Sequence, residues 1–135
     1  MNISLDTLCS LLACKANKSN FNKLWQIIPT SDKEIMARNK DTPATILRVL
    51  ANDNSFYIRE NLAGNTAMIP EVLKLISYDP DYYIRMLVAK NPSTPPEVLA
   101  QLSTDRDDYI VQGVATNSKT PMYTLIKMFN EENNH

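Results

Sequence analysis

Val88-Ala89-Lys90-Asn91-Pro92-Ser93-Thr94-Pro95-Pro96-Glu97-Val98-Leu99-Ala100-Gln101-Leu102 is the stretch whose reading decides the fold. It closes one apolar pattern at Asn-Pro, passes through Thr-Pro-Pro, and opens another at Val98, Leu99 and Leu102, spaced i, i+1, i+4 as on one side of a helix. The same columns recur on both sides of it. Asn39, Asn65, Asn91 and Asn117 stand 26 residues apart without slippage. Ala37, Ala63, Ala89 and Ala115 precede them by two, and Leu47, Leu73, Leu99 and Leu125 follow by eight. Leu50, Ile76, Leu102 and Met128 come next, then Asp53, Asp79 and Asp105, then Tyr57, Tyr83 and Tyr109, each followed by isoleucine. A fixed period of this size marks units that cannot bury their apolar faces alone and must stack on neighbours.

Composition narrows the class. A chain of 135 residues fits one domain, and two glycines with no alternating strand pattern argue for helices. Charge is close to balanced, with 14 Lys+Arg against 15 Asp+Glu and a pI near 5.8, so no basic footprint points to nucleic acid or an anionic membrane. The start Met1-Asn2-Ile3-Ser4-Leu5-Asp6 lacks the pattern of a secretory signal, and no stretch approaches the roughly 18 apolar residues of a membrane helix. The chain therefore reads as soluble and cytoplasmic. Cys9 and Cys14 lie in an apolar helical stretch with neither the spacing nor the number of a metal site, and read as buried thiols. The only histidine, His135, is the last residue. No cofactor or metal is expected.

Within a unit, Thr94, Pro95 and Glu97 read as a capping box, with threonine at N-cap, proline at N1 and glutamate at N3. Thr42-Pro43 and Thr120-Pro121 repeat that start, whereas Met68-Ile69 replaces it in the second unit, whose helix should begin less firmly. Asp79-Pro80-Asp81 and Asp105-Arg106-Asp107 end the first helix and cap the second, which runs to the recurring asparagine. There asparagine is expected to accept the left-handed conformation of a helix C-cap. The units are read as 39–64, 65–90, 91–116 and a partial 117–129, within one domain. Residues 1–38 keep the period poorly and read as a helical cap, with one helix over Ile3 to Ala16 and another over Asn22 to Ile28; residues 130–135 read as a disordered tail.

The run from Val88 to Leu102, followed by Asp105-Arg106-Asp107, resembles the leucine-rich repeat variant family. Residues 37 to 129 fit its pattern in register, with departures at Thr66, Ser118, Met68-Ile69 and Val111. The resemblance implies an all-α, right-handed superhelical solenoid related in style to HEAT-like repeats. It implies no reaction, so function must be argued from exposed positions.

No Gly-rich phosphate loop is present, and no serine or cysteine has a histidine to activate it. The recurring aspartates could pair as acid and base, but helix capping explains a group repeated in every unit better. The chain reads as no enzyme. Columns that vary are the informative ones: on the second helices these are Phe56, Tyr82 and Asp108, then Arg59, Arg85 and Val111, then Glu60, Met86 and Gln112, and finally Gly64, Lys90 and Thr116. Phe56, Arg59, Glu60, Tyr82, Arg85, Met86, Lys90, Asp108 and Gln112 form the candidate surface for a protein or peptide partner. Two structural readings stand beside it. Tyr57, Tyr83 and Tyr109 pack between units, and Arg59 and Arg85 pair with aspartates of adjacent turns. Nucleic-acid binding is the alternative function, set back by the acids among those cations. A homo-oligomer could form through the last helix, where Met122, Tyr123, Ile126 and Phe129 make it apolar on many sides.

Overall fold

The structure, a computed structural model, describes residues 18–134, with side chains from residue 22 onward. The helix expected over Ile3 to Ala16, with Cys9 and Cys14, lies outside the described residues. Nine helices and no strand occur among them: α1 Lys18–Ile27, α2 Thr30–Arg38, α3 Ala44–Ala51, α4 Phe56–Gly64, α5 Pro70–Ile76, α6 Tyr82–Lys90, α7 Pro96–Leu102, α8 Asp108–Thr116 and α9 Met122–Asn133. The even-numbered helices α2, α4, α6 and α8 are each 9 residues long and begin 26 residues apart. Thus α2, assigned by sequence to an irregular cap, already stands in the register of the repeat. Its Met36 and Ala37 are fully buried, in the columns of Leu62 and Ala63.

Where length predicts one domain, the chain falls into two compact units, one ending at Leu62 and the other running from Ala63. Local clustering of this kind is what repeats touching only their neighbours produce. In the first unit, Met36 and Ala37 of α2 and Ile46, Leu47 and Leu50 of α3 are buried, and the two helices pack together. In the second, Val72, Leu73 and Ile76 of α5, Ile84, Val88 and Ala89 of α6, Val98, Leu99 and Leu102 of α7, and Ile110 and Val114 of α8 are withdrawn from water. Each such Val, Leu, Ile or Met side chain contributes about 1.5–3 kcal/mol relative to exposure. Helix α6 packs on both α7 and α8.

Gly113 on α8 lies close against α6. A Cβ built there would lie 3.1 Å from Cβ of Ala89 and 3.4 Å from Cγ of Lys90. Gly64, at the end of α4, has nothing within 4 Å of its missing Cβ.

Three details of the turns differ from the sequence reading. The first concerns the threonines. Pro43, Pro95 and Pro121, not the threonines before them, occupy the N-cap of α3, α7 and α9, and no side chain caps these helices. The hydroxyls turn backward instead: Thr42 donates to the Met36 carbonyl, Thr94 to Val88 and Thr120 to Val114, each at 2.6 Å. Each therefore adds a second donor to a carbonyl in the last turn of the preceding helix, which already accepts the amide of Asn39, Asn91 or Asn117. In the second repeat the buried Met68 takes the threonine's place, yet α5 starts in register with Pro70 at N1.

The second concerns the asparagines, which do not adopt the left-handed conformation. Asn39, Asn91 and Asn117 are extended, at φ −78, −71 and −75, and no described non-glycine residue has positive φ. Oδ1 accepts the amide two residues on, at Asp41, Ala67, Ser93 and Lys119, which closes an Asx turn. Nδ2 reaches one repeat back. From Asn91 it donates to the carbonyls of Ala63 and Asn65, both at 2.9 Å; from Asn117 it donates to those of Ala89 and Asn91, at 2.7 and 3.0 Å. One amide thus closes its own turn and binds the turn of the neighbouring repeat.

The third is the carboxyl end. Helix α9 continues to Asn133, and Asn133 Nδ2 donates to the Phe129 carbonyl at 3.0 Å, so 130–133 is helical rather than a disordered tail. No Asp-rich turn follows Met128 to stop the helix as it does after Leu102.

Candidate functional site

The Asp turns are caps, as their spacing predicts. Asp81 and Asp107 are the N-caps of α6 and α8 and accept the amides of Tyr83 and Tyr109 at 2.9 and 3.0 Å. Asp53, Asp79 and Asp105 each accept the amide two residues later, from Ser55, Asp81 and Asp107.

Arg85 belongs to this scaffold and not to a binding surface. It is only 7% exposed. Its Nε lies 2.9 Å from Oδ2 of Asp105 and its Nη1 donates to the carbonyls of Asp79, at 2.7 Å, and Pro80, at 3.2 Å. A guanidinium held on this many fixed oxygens has little left to offer a partner. Arg59 is half-buried and donates through Nη1 to the Asp53 carbonyl at 3.0 Å. Lys33, one period before Arg59, holds Asp53 in the same way, Nζ to Oδ2 at 3.6 Å, with that Nζ 4.7 Å from the centre of the Trp25 ring. Sequence reasoning missed Lys33, although its position 26 residues before Arg59 was a sufficient signal. A shallow cleft of about 360 Å³ opens beside Arg85, lined by Tyr78, Gln101, Arg106 and the Arg85–Asp105 pair.

The remaining candidates separate by unit. In the first, Phe56 and Glu60 are half-buried, and the Phe56 ring meets Tyr57 edge-on at 5.7 Å. In the second, Tyr82, Met86 and Lys90 follow one another at i, i+4, i+8 along α6, with Tyr82 51% exposed, Met86 half-buried and Lys90 exposed. Asp108 and Gln112, also exposed, make the matching row at i, i+4 on the neighbouring α8. The structure therefore places six of the nine candidates on two packed helices, five of them away from the buried Arg85.

Two of the three repeated tyrosines are not packing residues. Tyr57 and Tyr109 are 64% and 65% exposed and Tyr83 is half-buried. The isoleucine after each turns inward and is fully buried, which directs the tyrosine before it to the surface. Tyr109 thus adds an aromatic beside Asp108 that a rule of constant columns assigns to the scaffold.

Among the described residues no group of three or more His, Cys, Asp or Glu could hold a metal ion, and no helix is long and apolar enough to cross a membrane. Residues 84–107, from Ile84 through the Asp105-Arg106-Asp107 turn, match the family model of the leucine rich repeat variant. Neither a curated protein nor a solved structure matches the chain significantly.

Proposed function

We propose that this chain is a non-catalytic interaction module that binds a protein or peptide on the face formed by α6 and α8, within a right-handed superhelical solenoid. The observation that carries the reading is the stripe Tyr82, Met86 and Lys90 beside Asp108, Tyr109 and Gln112. Aromatic and thioether groups at the centre with charge at the edge is the composition of interface hot spots. The constant polar groups around it, namely Asn91, Asn117, Asp79, Asp105 and Thr94, are engaged in closing turns and helix ends. That leaves the variable columns to distinguish one partner from another, as repeat scaffolds do.

The nucleic-acid reading loses support from the same geometry. With Arg85 buried, Lys90 is the one cation of the stripe, and its stem lies against Gly113 of α8, whereas a phosphate groove needs a continuous positive row. The test is affinity purification from the native cell with wild type and with a Tyr82→Ala, Met86→Ala variant. Loss of the same partner from the variant supports the reading. Identical partners at identical yield overturn it.

A further inference from the structure

Three residues from variable columns meet at the cleft beside Arg85. Tyr78 follows α5, Gln101 lies near the end of α7, and Arg106 stands in the turn before α8. One repeat earlier in the chain the same columns hold Asn52, Leu75 and Pro80, which bring neither a cation nor an aromatic ring. The other polar residues of the lining serve the scaffold: Ser77 donates to the Lys74 carbonyl, Asp79 accepts the Asp81 amide, and Arg85 pairs with Asp105. The variable trio is uncommitted. Among the described residues, no hydrogen bond, ion pair or ring contact engages the side chain of Tyr78, Gln101 or Arg106. Arg106 is flanked in sequence by Asp105 and Asp107, yet Asp105 is taken by Arg85 and the Asp107 amide, and Asp107 by the Tyr109 amide. Its exposed guanidinium therefore keeps all five N–H donors.

We propose that this cleft is a second binding site, one that takes a single carboxylate, the side chain of an aspartate or glutamate in a protein partner. Donors dominate what the trio offers: the Arg106 fork, the Gln101 amide and the Tyr78 hydroxyl. A carboxylate accepts two parallel hydrogen bonds from one guanidinium and has lone pairs left for the amide and the hydroxyl. Charge selects it over a phosphoryl group. With Arg85 held by Asp105, Arg106 is the one uncommitted cation of the lining, and Asp79 and Asp105 share that lining. One negative charge is matched there, whereas a phosphoryl group at about −1.5 to −2 is not. Size agrees, since about 360 Å³ is at the low end for ligand pockets and suits one side chain and its flank. The exposed Tyr78 ring supplies apolar surface for that flank. Tyr82, Met86 and Asp108 are not part of the lining, so the cleft and the face of α6 and α8 stand or fall separately.

Nuclear magnetic resonance on the full chain tests this, following the Arg106 Nε–H and Gln101 side-chain amide signals at constant ionic strength. The probes are the blocked tripeptide acetyl-Ala-Glu-Ala-amide, its glutamine analogue, acetyl-Ala-Ala-Ala with a free carboxyl end, and inorganic phosphate. The glutamate peptide is expected to shift both signals saturably, with a dissociation constant in the millimolar range that so small an anchor allows. The glutamine peptide should leave them in place. Arg106→Gln should abolish saturation with an unchanged thermal midpoint, because the side chain is exposed and bonds to nothing. Arg106→Lys should weaken binding about three- to ten-fold, as loss of one of two hydrogen bonds would. Unmoved signals, or a glutamine peptide as effective as the glutamate one, overturn the proposal. Tighter binding of phosphate overturns the choice of a carboxylate, and tighter binding of the free carboxyl end overturns the side chain as its source.

Discussion

Nε of Arg85 lies 2.9 Å from Oδ2 of Asp105, the cap of a turn twenty residues further along the chain. Lys33 reaches Asp53 over the same sequence distance. The Arg85–Asp105 pair is about nine-tenths buried on both sides, so removing one partner leaves a charge with neither water nor counter-ion. Arg85→Ala is therefore expected to destabilise the chain by about 3 kcal/mol, read as a lower urea midpoint. Arg59→Ala should cost less, since Arg59 is half-buried.

Asn91 donates to two carbonyls of the preceding repeat from a buried site. Asn91→Ala should cost about 2–3 kcal/mol, because the Ala63 carbonyl and the Ser93 amide lose this partner and the Asn65 carbonyl keeps only the Met68 amide. Asn91→Asp should be worse than alanine above pH 5, because it points a carboxylate at two carbonyl oxygens. Thermal melts of the two variants decide the order.

Gly113 and Gly64 are both helical, yet alanine should act on them with opposite signs. At Gly64 it meets open space and gains helix propensity, for a stabilisation of about 0.5–1 kcal/mol. At Gly113 it would stand 3.1 Å from Cβ of the fully buried Ala89, which has no rotamer to move away. Helices α6 and α8 must then separate, at a net loss of about 1 kcal/mol. Denaturation curves of Gly64→Ala and Gly113→Ala measure the contrast.

Thr124 occupies the core column of Ile46, Val72 and Val98, and its buried hydroxyl has no hydrogen-bond partner. Thr124→Val keeps the shape and removes the orphan, and should raise stability by about 1 kcal/mol. Thr94→Val, the same chemical change, should lower it by about 1 kcal/mol, because there the hydroxyl holds the Val88 carbonyl. Calorimetric midpoints moving in opposite directions are the expected result.

Much of this was legible in the chain because the constraint was periodic. The 26-residue spacing and the apolar columns anticipate every helix from Ala44 onward, and Asp81 and Asp107 cap as their positions suggest. Direction was not legible. A Thr-Pro-x-Glu run fits a forward cap and a backward hydroxyl equally well, and only the placement of Pro95 at N-cap decides for the second. Constancy was misleading at Tyr57 and Tyr109, because a residue beside an invariant buried isoleucine is held in position without being covered. Arg85 stood open between surface and scaffold, and burial decided it. At Lys33 the surrounding turn lacks the Asn-Pro and Thr-Pro marks, so the one column that did persist went unread.

The double reach of Asn91 and Asn117 also bears on how such a chain can change through evolution. Because Oδ1 is tied two residues ahead and Nδ2 26 and 28 residues behind, each amide measures the length of a whole repeat. Gain or loss of a single residue between two asparagines would pull one end of that measure off its carbonyls. Duplication or deletion of an entire repeat would leave every amide facing a carbonyl of the same kind. The chain can thus lengthen or shorten only in whole steps, which makes the asparagines the proofreaders of its own reading frame.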